Sequence, residues 1–215
     1  MKLYAHPFSS YCWKALIWFY ETGTSFEYVL LESEQSQAEL AAIWPLKRFP
    51  LLVDGETVVP EATAIIEYLD AVHPGSVRLI PADPRAAAEV RMMDRVFDNY
   101  VSNPQQNRVF NILRPEADRD PLADSKANEM MDAAYGWLDA RLAGREWATD
   151  HGFSLADCAA APALFYADWT HEIPARYANL KAYRARLLAR PSVARAVDEA
   201  RPYRPYFPLG APDRD

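Results

Sequence analysis

Residues 6 to 14 read HPFSSYCWK, and two side chains there can take part in sulfur chemistry. Ser9 carries a hydroxyl; three residues on, Cys12 carries a thiol. Cysteine at both places would make a C-x-x-C redox pair, whose thiolate is the reactive form. With serine first, two chemistries compete. Cys12 works as a lone thiol, or the Ser9 hydroxyl donates to a sulfur that belongs to another molecule. The second requires the foreign thiol to ionise. A free thiol titrates near ~8.5, so about 3 % is thiolate at pH 7, and lowering that pKa by about two units takes roughly 2.7 kcal/mol. A hydroxyl donating to a charged acceptor supplies ~1.5–3 kcal/mol. A helix N-terminus adds ~0.3–1 and at best ~2 kcal/mol. Together these suffice without a general base.

The flanking elements put both serines at such a terminus. Residues 2 to 5 read as a strand, and residues 10 to 22 carry Cys12, Ala15, Leu16, Phe19 and Tyr20 on one helix face, with Gly23 as the stop. Strand 26–31 and helix 34–43 follow, then apolar runs at 50–53 and 57–59 around Asp54-Gly55, a hairpin signal. Residues 61 to 72 make a third helix, which gives the order βαβαββα. The stretch 73–85 holds three prolines and a glycine and reads as a linker. Beyond it the pattern is helical: 84–113, broken or kinked at Asn103-Pro104, then 121–143, 154–168, 175–189 and 191–200. Ser154 and Asp157 form a capping box at the start of one of these helices. The tail 201–215, rich in proline and aromatics, is expected to lie extended on the surface. The expected architecture is therefore an α+β two-domain chain: 1–74, a linker at 75–85, and an all-α part at 86–215.

Bulk properties narrow the function classes. The chain has 215 residues, half of them hydrophobic, and a net charge of -7. That charge disfavours nucleic acid and anionic lipid as partners. No apolar run approaches the roughly 20 residues of a membrane span. The start lacks the apolar region of a signal peptide, so cytoplasm is the expectation. Cys12 and Cys158 lie far apart, fit no metal-ligand spacing and are expected to stay reduced.

Four stretches in this order resemble the glutathione S-transferase superfamily: HPFSSYCWKALI at 6–17, WPLKRFPLLVDG at 44–55, PEATAIIEYL at 60–69 and FSLAD at 153–157. LIPADP at 79–84 also resembles the family's linker. SSYCWK looks like the serine motif of zeta-type members, with some likeness to theta-type ones and to bacterial serine-type chains. The resemblance implies a thioredoxin-like first domain (1–74) that binds glutathione. It implies a helical second domain, a cleft between the two for a small hydrophobic electrophile, and a homodimer; no metal is implied. It assigns the thiolate contact to Ser9, with Ser10 as runner-up, and turns Cys12 toward the core. It also implies a cis bond at Phe49-Pro50, an anion contact at Lys47 or Arg48, and a Glu61 carboxylate facing the γ-glutamyl ammonium. Phe8, Tyr11, Tyr100 and Arg108 are its candidates for the second-substrate wall.

One departure stands out. The family's serine after the acid is Ala62 here. The Ala62 amide, at a helix N-terminus, still suits an anion. Losing a charge-assisted hydroxyl costs roughly 1.5–3 kcal/mol, or about 10- to 150-fold in affinity. The expected activity is glutathione transfer to a hydrophobic electrophile. The alternatives are a non-catalytic binding module of the same fold, a glutathione-dependent isomerase, and a thiol oxidoreductase that uses Cys12.

Overall fold

The computed structural model describes residues 1–75 and 77–215. The first elements are β1 (Lys2–Ala5), α1 (Ser10–Thr22), β2 (Glu27–Leu30), α2 (Glu34–Ile43), β3 (Leu51–Asp54), β4 (Thr57–Pro60) and α3 (Ala62–Val72), in the expected order. The strands form one sheet, ordered β2-β1-β3-β4. β1 is parallel to β2 and antiparallel to β3, and β3 pairs antiparallel with β4. A parallel neighbour requires a crossover, and α1 supplies it. Gly23 closes α1 at φ 68, its N–H bonded to the Phe19 carbonyl. This is the thioredoxin-like arrangement, and an all-helical region follows it.

That region contains α4 (Pro84–Phe97), α5 (Asn103–Leu113), α6 (Ala123–Arg141), α7 (Leu155–Thr170), α8 (Ala178–Ala189) and α9 (Pro191–Ala200). Between α4 and α5 the chain does not break. Asp98–Ser102 forms a π-helical turn, and the Asn103 N–H bonds to the Asp98 carbonyl. Pro104 lies in the first turn of α5, where its missing N–H costs least. The capping box at Ser154 is present: Asp157 accepts from the Ser154 amide at 2.9 Å, and its carboxylate also holds the Ala148 amide and the Tyr183 hydroxyl.

The tail differs from expectation. Arg201–Tyr206 winds into a 3-10 helix, and Phe207 is buried against Trp169 and Tyr166 rather than lying on the surface. Burying a large ring outweighs the extended bias of the prolines.

α1 is the hub. Residues 12 to 19 are all buried, because α3, α7 and α9 pack around the helix and Leu3, Ala5 and Leu52 of the sheet share its core. Trp13 sits 5.0 Å from Phe165 and 5.5 Å from Tyr166, ring to ring. The connecting segment is fastened too. Asp70 accepts from Trp18 Nε1 and from the amides of Leu79 and Ile80, and the Leu79 carbonyl accepts from the Leu155 amide. Ser76, within the expected linker, lies outside the described residues.

Candidate active site

Ser9 is the N-cap of α1, with φ -90° and ψ 121°. Its Oγ accepts from the Cys12 amide at 3.4 Å, a long bond. A hydroxyl that accepts still has its own proton to donate. The turn that carries it is pinned from three sides. The Ser9 amide donates to the His6 carbonyl at 3.0 Å, Trp13 Nε1 donates to the Pro7 carbonyl at 2.5 Å, and the Tyr166 hydroxyl donates to the Phe8 carbonyl at 3.0 Å. The Phe8 amide donates to His6 Nδ1 at 3.1 Å, and burial lowers the His6 pKa. His6 therefore stays neutral at pH 7, with its ring proton on Nε2.

Ser9 opens onto a cleft of about 1360 Å³ between the sheet-bearing half and the helices. Ser10 faces the same cleft but is already engaged, accepting from Gln106 Nε2 at 3.0 Å. The two serines thus separate: one hydroxyl is directed at the cleft, the other is tied to its far wall. Cys12 is fully buried, accepts from the His6 amide at 3.4 Å, and burial pushes its thiol up to about 12. Cys158 is also fully buried, and burial foremost, then the Asp157 charge, raises its pKa. Neither offers a thiolate near neutral pH.

The residues expected to hold a peptide converge on the same cleft. Lys47, Arg48, Phe49, Pro50, Glu61 and Ala62 all line it. Phe49-Pro50 is cis, and Lys47 has φ 54. Glu61 sits at φ 71 and ψ 121, outside the usual regions for a side-chain-bearing residue, at a cost of about 1–3 kcal/mol. No side chain caps α3, so its first amides point into the cleft without a side-chain partner. Cleft, uncapped helix start and adjoining carboxylate suit a zwitterionic peptide end.

The opposite wall mixes polar and apolar groups. Asn99, Asn103, Gln106, Phe110 and Leu113 face the cleft at helical spacing. The Tyr11 hydroxyl, whose pKa burial raises, donates to Asn103 Oδ1 at 3.1 Å. Phe8, Tyr166 and Phe207 supply an aromatic end.

Two expected wall residues are elsewhere. Tyr100 projects from the outer side of the helical region, beside Val96, Met130 and Trp137. Arg108 points back into the helices, bonded to Asn128 and the Thr170 carbonyl. For Arg108 the cause is one of phase: a π turn adds a residue, so the helix beyond it is rotated relative to an uninterrupted one, and Tyr100 lies within that turn.

A charged group under the cleft escaped the sequence reading. Lys14 is 1% exposed, and its Nζ lies 2.6 Å from Asp94, 2.8 Å from Asp98 and 3.0 Å from the Thr63 hydroxyl. Arg95 closes the cluster on the cleft side, bonded to both carboxylates. Burial raises the Asp98 pKa, against the opposing Lys14 charge. The available signal was that Lys14 is the single charged residue between Ser9 and Tyr20.

Among the described residues, no group of three or more His, Cys, Asp or Glu is placed to hold a metal ion, and no helix is long and apolar enough to cross a membrane.

The family model described as "Glutathione S-transferase, N-terminal domain" matches residues 3–77, and "Glutathione S-transferase, C-terminal domain" matches residues 107–186. A "Probable maleylacetoacetate isomerase" of Vibrio cholerae is 30% identical over 175 residues, covering 79% of this chain and 80% of that protein. "Glutathione S-transferase GstB" of Escherichia coli is 28% identical over 195 residues, covering 86% and 91%. Among solved structures, a glutathione S-transferase from Methylobacillus flagellatus with glutathione bound superposes with a TM-score of 0.82 at 26% identity, over 91% of this chain and 98% of that one.

Proposed function

We propose a function from one premise: the chain belongs to the glutathione S-transferase family. It binds glutathione along Phe49-Pro50 and Glu61-Ala62, with residues 1–74 as the binding domain and residues 86–215 carrying most of the second-substrate wall. Ser9 donates its hydroxyl proton as a hydrogen bond to the glutathione sulfur and holds it as thiolate. The sulfur lone pair then attacks an electrophilic carbon of a largely apolar compound lodged against Phe8, Tyr11 and Phe110; the new bond is C–S, and the displaced group leaves with the electron pair. Arg48 or Lys47 pairs with the glycyl carboxylate. The supporting observation is that the Ser9 hydroxyl, at the head of α1, opens onto the cleft that also receives Pro50 and the uncapped start of α3. The two thiols are free and buried, which suits a reducing cytoplasm.

The direct check follows the thiolate absorbance of glutathione across pH with and without the protein, beside turnover of an activated nitroaryl halide. Ionisation about two units below free glutathione, together with conjugate formation, is the expected result. An unshifted titration rejects it.

The Vibrio relative's name favours a second reading. In an isomerase the thiolate adds to a conjugated cis double bond, the resulting single bond rotates, and sulfur is expelled again. Glutathione would then be required but not consumed. Measuring its concentration during turnover of such an ene-dicarbonyl compound separates the two.

The chain forms a homodimer through the face that carries Tyr100. There Val96, Tyr100, Met130 and Trp137 border an apolar groove of about 320 Å³, and the two rings and the methionine are close to half exposed. A groove rimmed by half-exposed rings and a methionine suits a subunit contact. Trp137→Glu should shift sedimentation at micromolar concentration from dimer to monomer, with ~30-fold or greater weakening. An unchanged dimer would place the interface elsewhere.

A further inference from the structure

The glutathione reading leaves one contact unfilled. The γ-glutamyl end carries an ammonium and a carboxylate on the same carbon. Glu61 offers an acid for the first, but Ala62 offers no hydroxyl for the second. The neighbouring hydroxyl cannot substitute: Thr63 Oγ1 accepts from Lys14 at 3.0 Å and from Arg95 at 2.5 Å, and lies 3.0 Å from Asp94, to which it donates. Nor can the nearby cations of α1 and α4, with one exception. Lys14 Nζ already spends its three donors on Asp94, Asp98 and Thr63. Arg91 is held by a two-pronged contact to Glu67.

Arg95 is the exception. Its Nε and Nη2 bond to Asp94 at 2.9 and 2.5 Å, and Nη2 also reaches Asp98 at 2.6 Å. Its Nη1 has no hydrogen bond among the described residues. The side chain is 50% exposed, and it lines the cleft together with Glu61 and Ala62. The inner edge of the guanidinium is thus anchored, and a donor pair remains at the mouth of the uncapped α3. A fork already held in place loses little freedom when it takes up an anion.

We propose that Arg95 binds the γ-glutamyl carboxylate of glutathione through Nη1, replacing the hydroxyl that Ala62 lacks. The inference rests on the reading of the cleft as a glutathione site. It makes Arg95 a determinant of peptide specificity at the end remote from sulfur, and it offsets the affinity loss that Ala62 alone implies.

The test is calorimetric titration of the full chain with two peptides: glutathione, and γ-aminobutyryl-cysteinyl-glycine, which keeps the ammonium but lacks the α-carboxylate. The native protein should bind glutathione about 10- to 150-fold more tightly than the analogue. Arg95→Gln should weaken glutathione by that factor and leave the analogue unchanged. Arg95→Lys keeps a cation beside Asp94 and Asp98 but loses the fork, so it should reproduce the effect with little change in melting temperature. Ala62→Ser in the Arg95→Gln background should recover most of the loss. Equal weakening of both peptides, or of neither, overturns the proposal. If the native protein binds neither peptide, the glutathione reading itself fails, and the Arg95 role falls with it.

Discussion

Ser9→Ala is expected to slow glutathione-dependent turnover at pH 7 by about 10- to 150-fold, the worth of one charge-assisted hydrogen bond. The pH dependence should identify the cause. Without the hydroxyl, the bound thiol's pKa rises by about one to two units. Less thiolate is present at neutral pH, and activity returns as the pH climbs through the new pKa. The plateau at high pH should therefore be largely kept, and Ser9→Thr should retain most of the neutral-pH rate. Folding should suffer little. The cap bond from the Cys12 amide is long, at 3.4 Å, so its loss should sit at the low end of the ~0.5–2 kcal/mol range for N-caps. Cys12→Ala is the companion measurement. Its sulfur is fully buried, with a pKa pushed up to about 12, so the rate should be unchanged. A normal rate in Ser9→Ala together with loss in Cys12→Ala would mean thiol redox chemistry instead. No glutathione-dependent rate in the native chain would favour the non-catalytic module.

The reasons Ser9 and Pro50 could be placed from sequence also explain what could not. Ser9 follows a local rule, a hydroxyl where a strand hands over to a helix, and the cis step at Pro50 came with a short contiguous motif that resembles the family's. The hairpin at Asp54-Gly55 and the cap at Gly23 are local in the same sense, and they appear where expected. Tyr100 and Arg108 required the rotational phase of a long helix. Pro104 signals an irregularity but not its form; the π turn at Asp98–Ser102 then set which residues face the cleft. Phe207 required knowledge of the tertiary surface made by Tyr166 and Trp169, some 40 residues upstream along the chain. Arg95 and Lys14 are the extreme case. Their roles come from four elements meeting: α1, α3, α4 and the π turn. A lone lysine in an apolar helix indicates a buried partner without saying which, because the carboxylates lie 80 and 84 residues away in sequence.

Lys14→Met is expected to destabilise the protein by roughly 3 kcal/mol, the lower end of the range for removing one partner of a buried pair. The lower end applies because Arg95 still contacts both carboxylates. For a chain of this size the melting temperature should fall by about 6–12 °C. The loss comes less from the missing attraction than from the Asp94 carboxylate, which stays fully buried with half its compensation gone. This distinguishes the cluster from the exposed surface pairs, such as Lys2–Glu27, whose removal should leave stability nearly unchanged. Removing the stranded charge as well should restore stability, so Lys14→Met with Asp94→Leu should return to within about 1 kcal/mol of the native protein. The functional consequence stems from where the cluster sits. It joins the helix that Ser9 caps, the start of α3 beside Glu61, and the helix that leads into the opposite wall of the cleft. In the doubly substituted protein, stable but lacking the Lys14 and Asp94 bonds, the KM for glutathione should rise several-fold more than kcat falls, because Arg95 loses its two bonds to Asp94 and the Thr63 hydroxyl at the α3 start loses Lys14 and Asp94, while the turn of Ser9 keeps its own three. Urea unfolding and steady-state kinetics on the single and double variants measure both halves. A Lys14→Met protein as stable as the native one would show that the buried carboxylates are neutral rather than paired.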